Sequence, residues 1–89
     1  MATQQVTNRK ESQALNGQAV VVTLNSSDAA YLDDFSEGML CTHDSTGKTG
    51  TIHSVDYFGN SFRVSPIQMN KDFGLYGYLN VNDTVTVTL

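Results

Sequence analysis

The chain has few of the residues on which covalent and ionic chemistry depend. Cys41 is its single cysteine, which excludes an intrachain disulfide and suits a reducing compartment such as the cytoplasm. Tryptophan is absent, and Pro66 is the one proline. Five basic residues stand against nine acidic ones, a net charge of −4. Arg9 and Lys10 are adjacent, but Lys48, Arg63 and Lys71 are scattered among neutral residues. No basic stripe is therefore written for a phosphate backbone, and nucleic acid is disfavoured as a partner. Long hydrophobic runs are missing too: residues 19–22 and 38–41 are short, and even residues 73–79, with their glycines counted, make only seven, far short of the roughly 20 residues that span a bilayer. Residues 1–17 contain no apolar segment of the secretory type, so neither a membrane nor that export route is expected.

What is present fits one small core. Eighty-nine residues leave no room for a second. Residues 1–17 offer only Val6 and Leu15 as sizeable apolar side chains beyond Met1, too little to order themselves. They read as an extended polar arm, with residues 18–89 as a single β domain. A domain of that size supplies about 3–5 kcal/mol from its core, and with no disulfide to help, a partner is the expected supplement.

Residues 18–24 (QAVVVTL) are rich in β-branched side chains and place Val20, Val22 and Leu24 on one face of a first strand. In residues 28–37, Tyr31, Leu32 and Phe35 have helical spacing before Gly38, which predicts one or two helical turns. Residues 38–43 form a second strand and residues 44–50 a loop. Residues 51–58 and 61–65 flank Gly59-Asn60, a pair suited to a two-residue hairpin turn. Counting outward from that turn pairs Tyr57 with Phe62, Val55 with Val64, and Asp56 with Arg63. Ile52 falls out of phase with Val55 and Tyr57, which predicts a bulge near His53 or Ser54. Beyond Pro66, residues 67–74 form a connection with Ile67, Met69 and Phe73 laid over the core. Alternation then resumes with Leu75, Leu79, Val81, Val85, Val87 and Leu89 on odd positions. Asn82-Asp83 breaks this into two strands, residues 75–81 and 84–89, the last tied into the sheet or lying at an edge open to another chain. The predicted fold is all-β: a small SH3-like or OB-like barrel or sandwich of five to six short strands, with one short helical turn and an N-terminal arm.

No candidate catalytic or metal constellation survives its spacing test. Gly47-Lys48-Thr49 ends like a phosphate-binding loop, but Thr42 stands where that motif needs its first glycine, and a strand follows where it needs a helix. Cys41 and His43 share one strand face and His53 could approach from the next strand, but a structural zinc site takes four ligands. A small buried hydrophobe is the better reading of Cys41. Asp28, Asp33, Asp34 and Glu37 concentrate acid without the spacing or glycine of a calcium loop, and read as a solvated face. Tyr31, Tyr57, Tyr76, Tyr78, Phe58 and Phe62 could stack bases in a small barrel, against the acidic balance. Tyr76 and Tyr78 face away from the odd-numbered apolar stripe, where a partner could cover them.

Gly38, Thr49-Gly50, Val55-Asp56, Gly59-Asn60-Ser61-Phe62, Val64, Pro66 and residues 79–85 together have a cadence that resembles small virion proteins of tailed bacteriophages, of the auxiliary capsid, decoration or head-completion type. The resemblance covers about the last fifty residues. It implies a non-enzymatic subunit without cofactor, assembled in the host cytoplasm into a virion in many copies, whose partner is a major capsid or other virion protein. Val6, Arg9, Lys10 and Leu15 of the arm, with Tyr76 and Tyr78, are the expected partner-binding residues. The alternative is a monomeric OB-like or SH3-like module that grips nucleic acid or a peptide.

Overall fold

A computed structural model describes residues 2–14, 18–66 and 77–89. Among the described residues there are eight strands: β1 (Thr3–Thr7), β2 (Ser12–Gln13), β3 (Val20–Thr23), β4 (Leu40–His43), β5 (Thr49–Asp56), β6 (Ser61–Pro66), β7 (Tyr78–Leu79) and β8 (Thr84–Thr88). A short 3-10 helix, Ala29–Asp34, lies between β3 and β4. Six strands form one antiparallel sheet in the order β1-β8-β4-β5-β6-β3, and β2 pairs with β7. The all-β expectation is met.

Alternation builds the core. Val20, Val22 and Leu24 turn inward from β3 and its end, Phe62 and Val64 from β6, and Val85 and Val87 from β8. Leu32 and Phe35 at the 3-10 helix close one side, with the Phe35 ring edge-on to Phe62 at 5.3 Å and 74°. The helix is the predicted one. Its first turn is held by Asn25, whose Oδ1 accepts from the Asp28 amide at 2.8 Å. Cys41 is buried against the sheet as expected of a small hydrophobe, and burial, with Asp44 adding, pushes its thiol pKa up to about 12. Gly50, the second residue of β5, pairs with Cys41 of β4 on one side and Pro66 of β6 on the other. A Cβ there would meet the Ser65 carbonyl oxygen at 2.6 Å, so the strand needs glycine for this approach.

The N-terminal segment departs from the expected arm. β1 is an edge strand paired with β8 from Thr3↔Thr88 to Thr7↔Thr84, and Val6 is 2% exposed in the core. The chain then crosses from one edge of the sheet to the other. Asn8 exchanges backbone bonds with the turn before β8, donating to the Asp83 carbonyl and accepting from the Asn82 amide, each at 2.8 Å. The Arg9 amide donates to the Thr23 carbonyl of β3 at 2.7 Å, and Ser12 Oγ accepts from the Val21 amide at 3.1 Å. Pairing of backbone groups, which costs no apolar surface, orders this polar segment.

The hairpin register also differs. β5 and β6 pair Asp56↔Ser61, Val55↔Phe62 and Ser54↔Arg63, so the loop is four residues, 57–60, and Tyr57 is unpaired. Asp56 does not face Arg63; its Oδ1 accepts the Phe58 and Gly59 amides, each at 3.1 Å. That side-chain turn competes with the two-residue turn and wins. Only Asn60 of the expected turn pair has positive φ, at 52°. The predicted bulge is present between Ile52 and Ser54. Val81, expected on the buried stripe, is half-exposed in the turn that carries Asn82 at φ 74°. Leu75 and the connection 67–74 lie outside the described residues.

Candidate functional site

Three places among the described residues concentrate polar or aromatic groups. At the tip of the β5–β6 hairpin, Tyr57 is 58% exposed and Phe58 is 103% exposed. The two amides held by Asp56, and the Asn60 carbonyl accepting from the Leu24 amide at 2.7 Å, fix the loop that displays them. The aromatic pair thus stands in water on an ordered turn.

The second place is the sheet end formed by the β4–β5 and β7–β8 turns. His43, 3% exposed, receives Thr46 Oγ1 at Nδ1 (3.0 Å) and meets Asp83 Oδ2 at Nε2 (3.1 Å). A ring hydrogen on Nε2 points to the Asp83 carboxylate, and Nδ1 meets the Thr46 hydroxyl. Hydroxyl, imidazole and carboxylate follow one another as in a nucleophile relay, but the imidazole is sealed. Thr46 Oγ1 also accepts the Lys48 amide (3.2 Å) and Asp83 Oδ2 the Asn80 amide (2.9 Å). The arrangement clasps two turns together. Beside it, Asp44 accepts from Gln5 Nε2, Thr84 Oγ1 and Thr86 Oγ1, each at 2.8 Å. Partial burial raises its pKa, but these three donors and the neighbouring His43 outweigh that and hold the carboxyl below its ordinary value. Position along the sequence offers no sign that His43 would meet Asp83, forty residues on. His43, the last residue of β4, is the centre of this network.

The third is the outer face of β5, β6 and β3, where Gln18, Ala19, His53, Arg63 and Ser65 line a recess of about 400 Å³. His53 is thereby separated from Cys41 and His43, which face the interior. Among the described residues no three His, Cys, Asp or Glu side chains are grouped to hold a metal.

Of the expected partner-binding residues, four are described, and not all of them lie at the surface. Val6 is in the core, because β1 completes the sheet there, and is not available to a partner. Arg9 is exposed, its Nη1 donating to Asn82 Oδ1 at 3.3 Å, and Lys10 is exposed beside it. Tyr78, half-buried on β7, bonds to Glu11; that bond raises the phenol pKa, with desolvation and the Glu11 charge adding. Arg9, Lys10 and Tyr78 therefore follow the path of residues 8–13, while Leu15 and Tyr76 lie outside the described residues. No protein-family model, curated protein or solved structure matches the chain.

Proposed function

We propose that this chain is a non-enzymatic structural subunit of a larger assembly: a virion protein of a tailed bacteriophage, of the capsid decoration, auxiliary or head-completion type. In this reading the six-stranded sheet, its edges bridged by residues 8–12, is a small barrel of the SH3-like or OB-like kind. Its partner is a major capsid or other virion protein. The virion identity rests on the resemblance in the last fifty residues; the adhesive role rests on the hairpin tip.

The single observation that carries the adhesive role is the exposure of Phe58 beside Tyr57. Covering one large apolar side chain is worth about 1.5–3 kcal/mol. Because Asp56 already orders the loop, little of that gain is lost to ordering on association. Aromatic side chains are also enriched where proteins meet. A base-stacking module would use the same rings, but the net charge of −4 opposes a phosphate backbone.

Native mass spectrometry of the chain purified from its source tests the proposal. Complexes many times the mass of one chain are expected, and Phe58→Ser should shrink them while leaving the thermal melt unchanged. A monomer at every concentration up to the micromolar range would refute the assembly reading and favour the monomeric module.

A further inference from the structure

The recess on the outer face gathers hydrogen-bond donors in a chain that is acidic overall. The sheet register explains why. Phe62 and Val64 point inward from β6, so Arg63 and Ser65 point outward by alternation. Arg63 lies between Val21 of β3 and Ser54 of β5. The bulge between Ile52 and Ser54 adds His53 to the same face: it is the extra residue, exposed, where a regular strand would give one fewer outward side chain. The Gln18 amide and the Ser65 hydroxyl complete the lining, which among the described residues includes no carboxylate. Among the described residues Arg63 takes part in no ion pair.

We propose that this recess binds a carboxylate presented by an acidic segment of a partner protein. A guanidinium forks onto a carboxylate through two parallel hydrogen bonds, and the imidazole and hydroxyl beside it offer further donors to the same oxygens. One arginine and one histidine match one carboxylate. They are too few for a phosphate backbone, whose binding depends on neutralising several charges at once. That the carboxylate belongs to a protein rests on the assembly reading above; the recess itself follows from the sheet register.

The full chain is titrated with a short glutamate-rich peptide, with the same peptide carrying glutamine in place of glutamate, and with a single-stranded oligonucleotide. Side-chain NMR signals of Arg63 and His53 report the site. The glutamate peptide should shift both signals saturably and the glutamine peptide neither. Arg63→Gln should weaken peptide binding at least about tenfold, the loss expected for a charge-assisted pair. His53→Gln should weaken it several-fold, and Lys48→Gln, in the β4–β5 turn, should leave it unchanged. Equal binding of the two peptides, or unchanged binding by Arg63→Gln and His53→Gln, would overturn the proposal. So would an oligonucleotide that displaces the peptide from the same side chains. Native mass keeps the two readings apart: a monomeric chain that takes the glutamate peptide at Arg63 upholds the recess and loses the assembly. An assembled chain whose recess ignores the peptide does the reverse.

Discussion

Asn8 shows how one buried polar side chain can hold distant parts of a small protein. It is fully buried, and its amide group uses both donors and its oxygen: Nδ2 donates to the Lys10 and Asn80 carbonyls at 2.8 Å each, and Oδ1 accepts the Thr23 amide at 3.0 Å. Three chain segments meet on one residue. Replacing it with Leu keeps the volume but strands all three backbone partners, each costing about 1–3 kcal/mol if left without a bond. Asn8→Leu should therefore abolish the cooperative thermal melt, and a melt within a few degrees of wild type would show that water replaces the amide. Asp44 acts at the surface by charge. Its folded-state pKa is depressed below 3.8, so the native state holds fewer protons than the unfolded chain just below that value. Its contribution is full above the unfolded pKa and is lost as pH falls through the folded one. Asp44→Asn should lower the melting temperature near neutral pH, with the difference shrinking in titrations carried below pH 3.8. A difference that stays constant across that range would mean that the charge contributes nothing. Asn8 was not legible in the sequence as a structural residue: among Thr7, Arg9 and Lys10 it looks like one more solvated side chain, and only its partners in residues 23 and 80 give it a role.

At the scale of elements, the hairpin shows what periodicity can and cannot decide. The inward alternation of Phe62 and Val64 and the break in phase after Ile52 are carried by residues close in sequence, and both were legible. The loop length was not, because Gly59-Asn60 fits a tight turn and nothing in the alternation weighs that against an Asp56 carboxylate able to take two amides. The same limit affected β8 and the turn before it: Val85 and Val87 fell on the buried stripe as read, while Val81 was placed on it by parity although the turn at Asn82 lifts it out. Two substitutions separate the hairpin's parts. Removing the Phe62 ring from the core should cost about 3–5 kcal/mol, a large share of the stability of a domain this small. Asp56→Ala frees two exposed amides and should cost about 1 kcal/mol. Urea unfolding of the two variants checks the order, and a greater loss for Asp56→Ala would show that the turn outranks the ring in holding β5 to β6.

At the scale of the whole molecule, the decisive contacts join the two ends of the chain. Gln4 pairs with Val87, and the Leu89 amide donates to the Ala2 carbonyl at 3.0 Å. Such pairing is set by backbone groups that every residue carries, so a polar segment can be part of the fold without showing an apolar stripe. Composition read residues 1–17 as an arm for that reason; apart from Val6, the strand TQQVT turns no large apolar side chain inward. The difference between an arm and an edge strand has a direct consequence. A chain beginning at Gly17 lacks β1 and β2, so the edge of β8 loses its neighbour and the two edges of the sheet lose the bridge at Asn8 and Arg9. Val6 alone removes about 1.5–3 kcal/mol of burial, and the three bonds of the Asn8 side chain go with it. Set against a total stability of the order of 5 kcal/mol for a domain of this size, those losses leave no folded state. The truncated chain should show neither a cooperative thermal transition nor slow amide exchange in residues 84–88, whereas removal of a true arm would leave both in place and weaken only association. If the truncated chain melts cooperatively near the temperature of the full chain, β1 is dispensable to the fold and its pairing with β8 is an attachment that a partner's strand could replace.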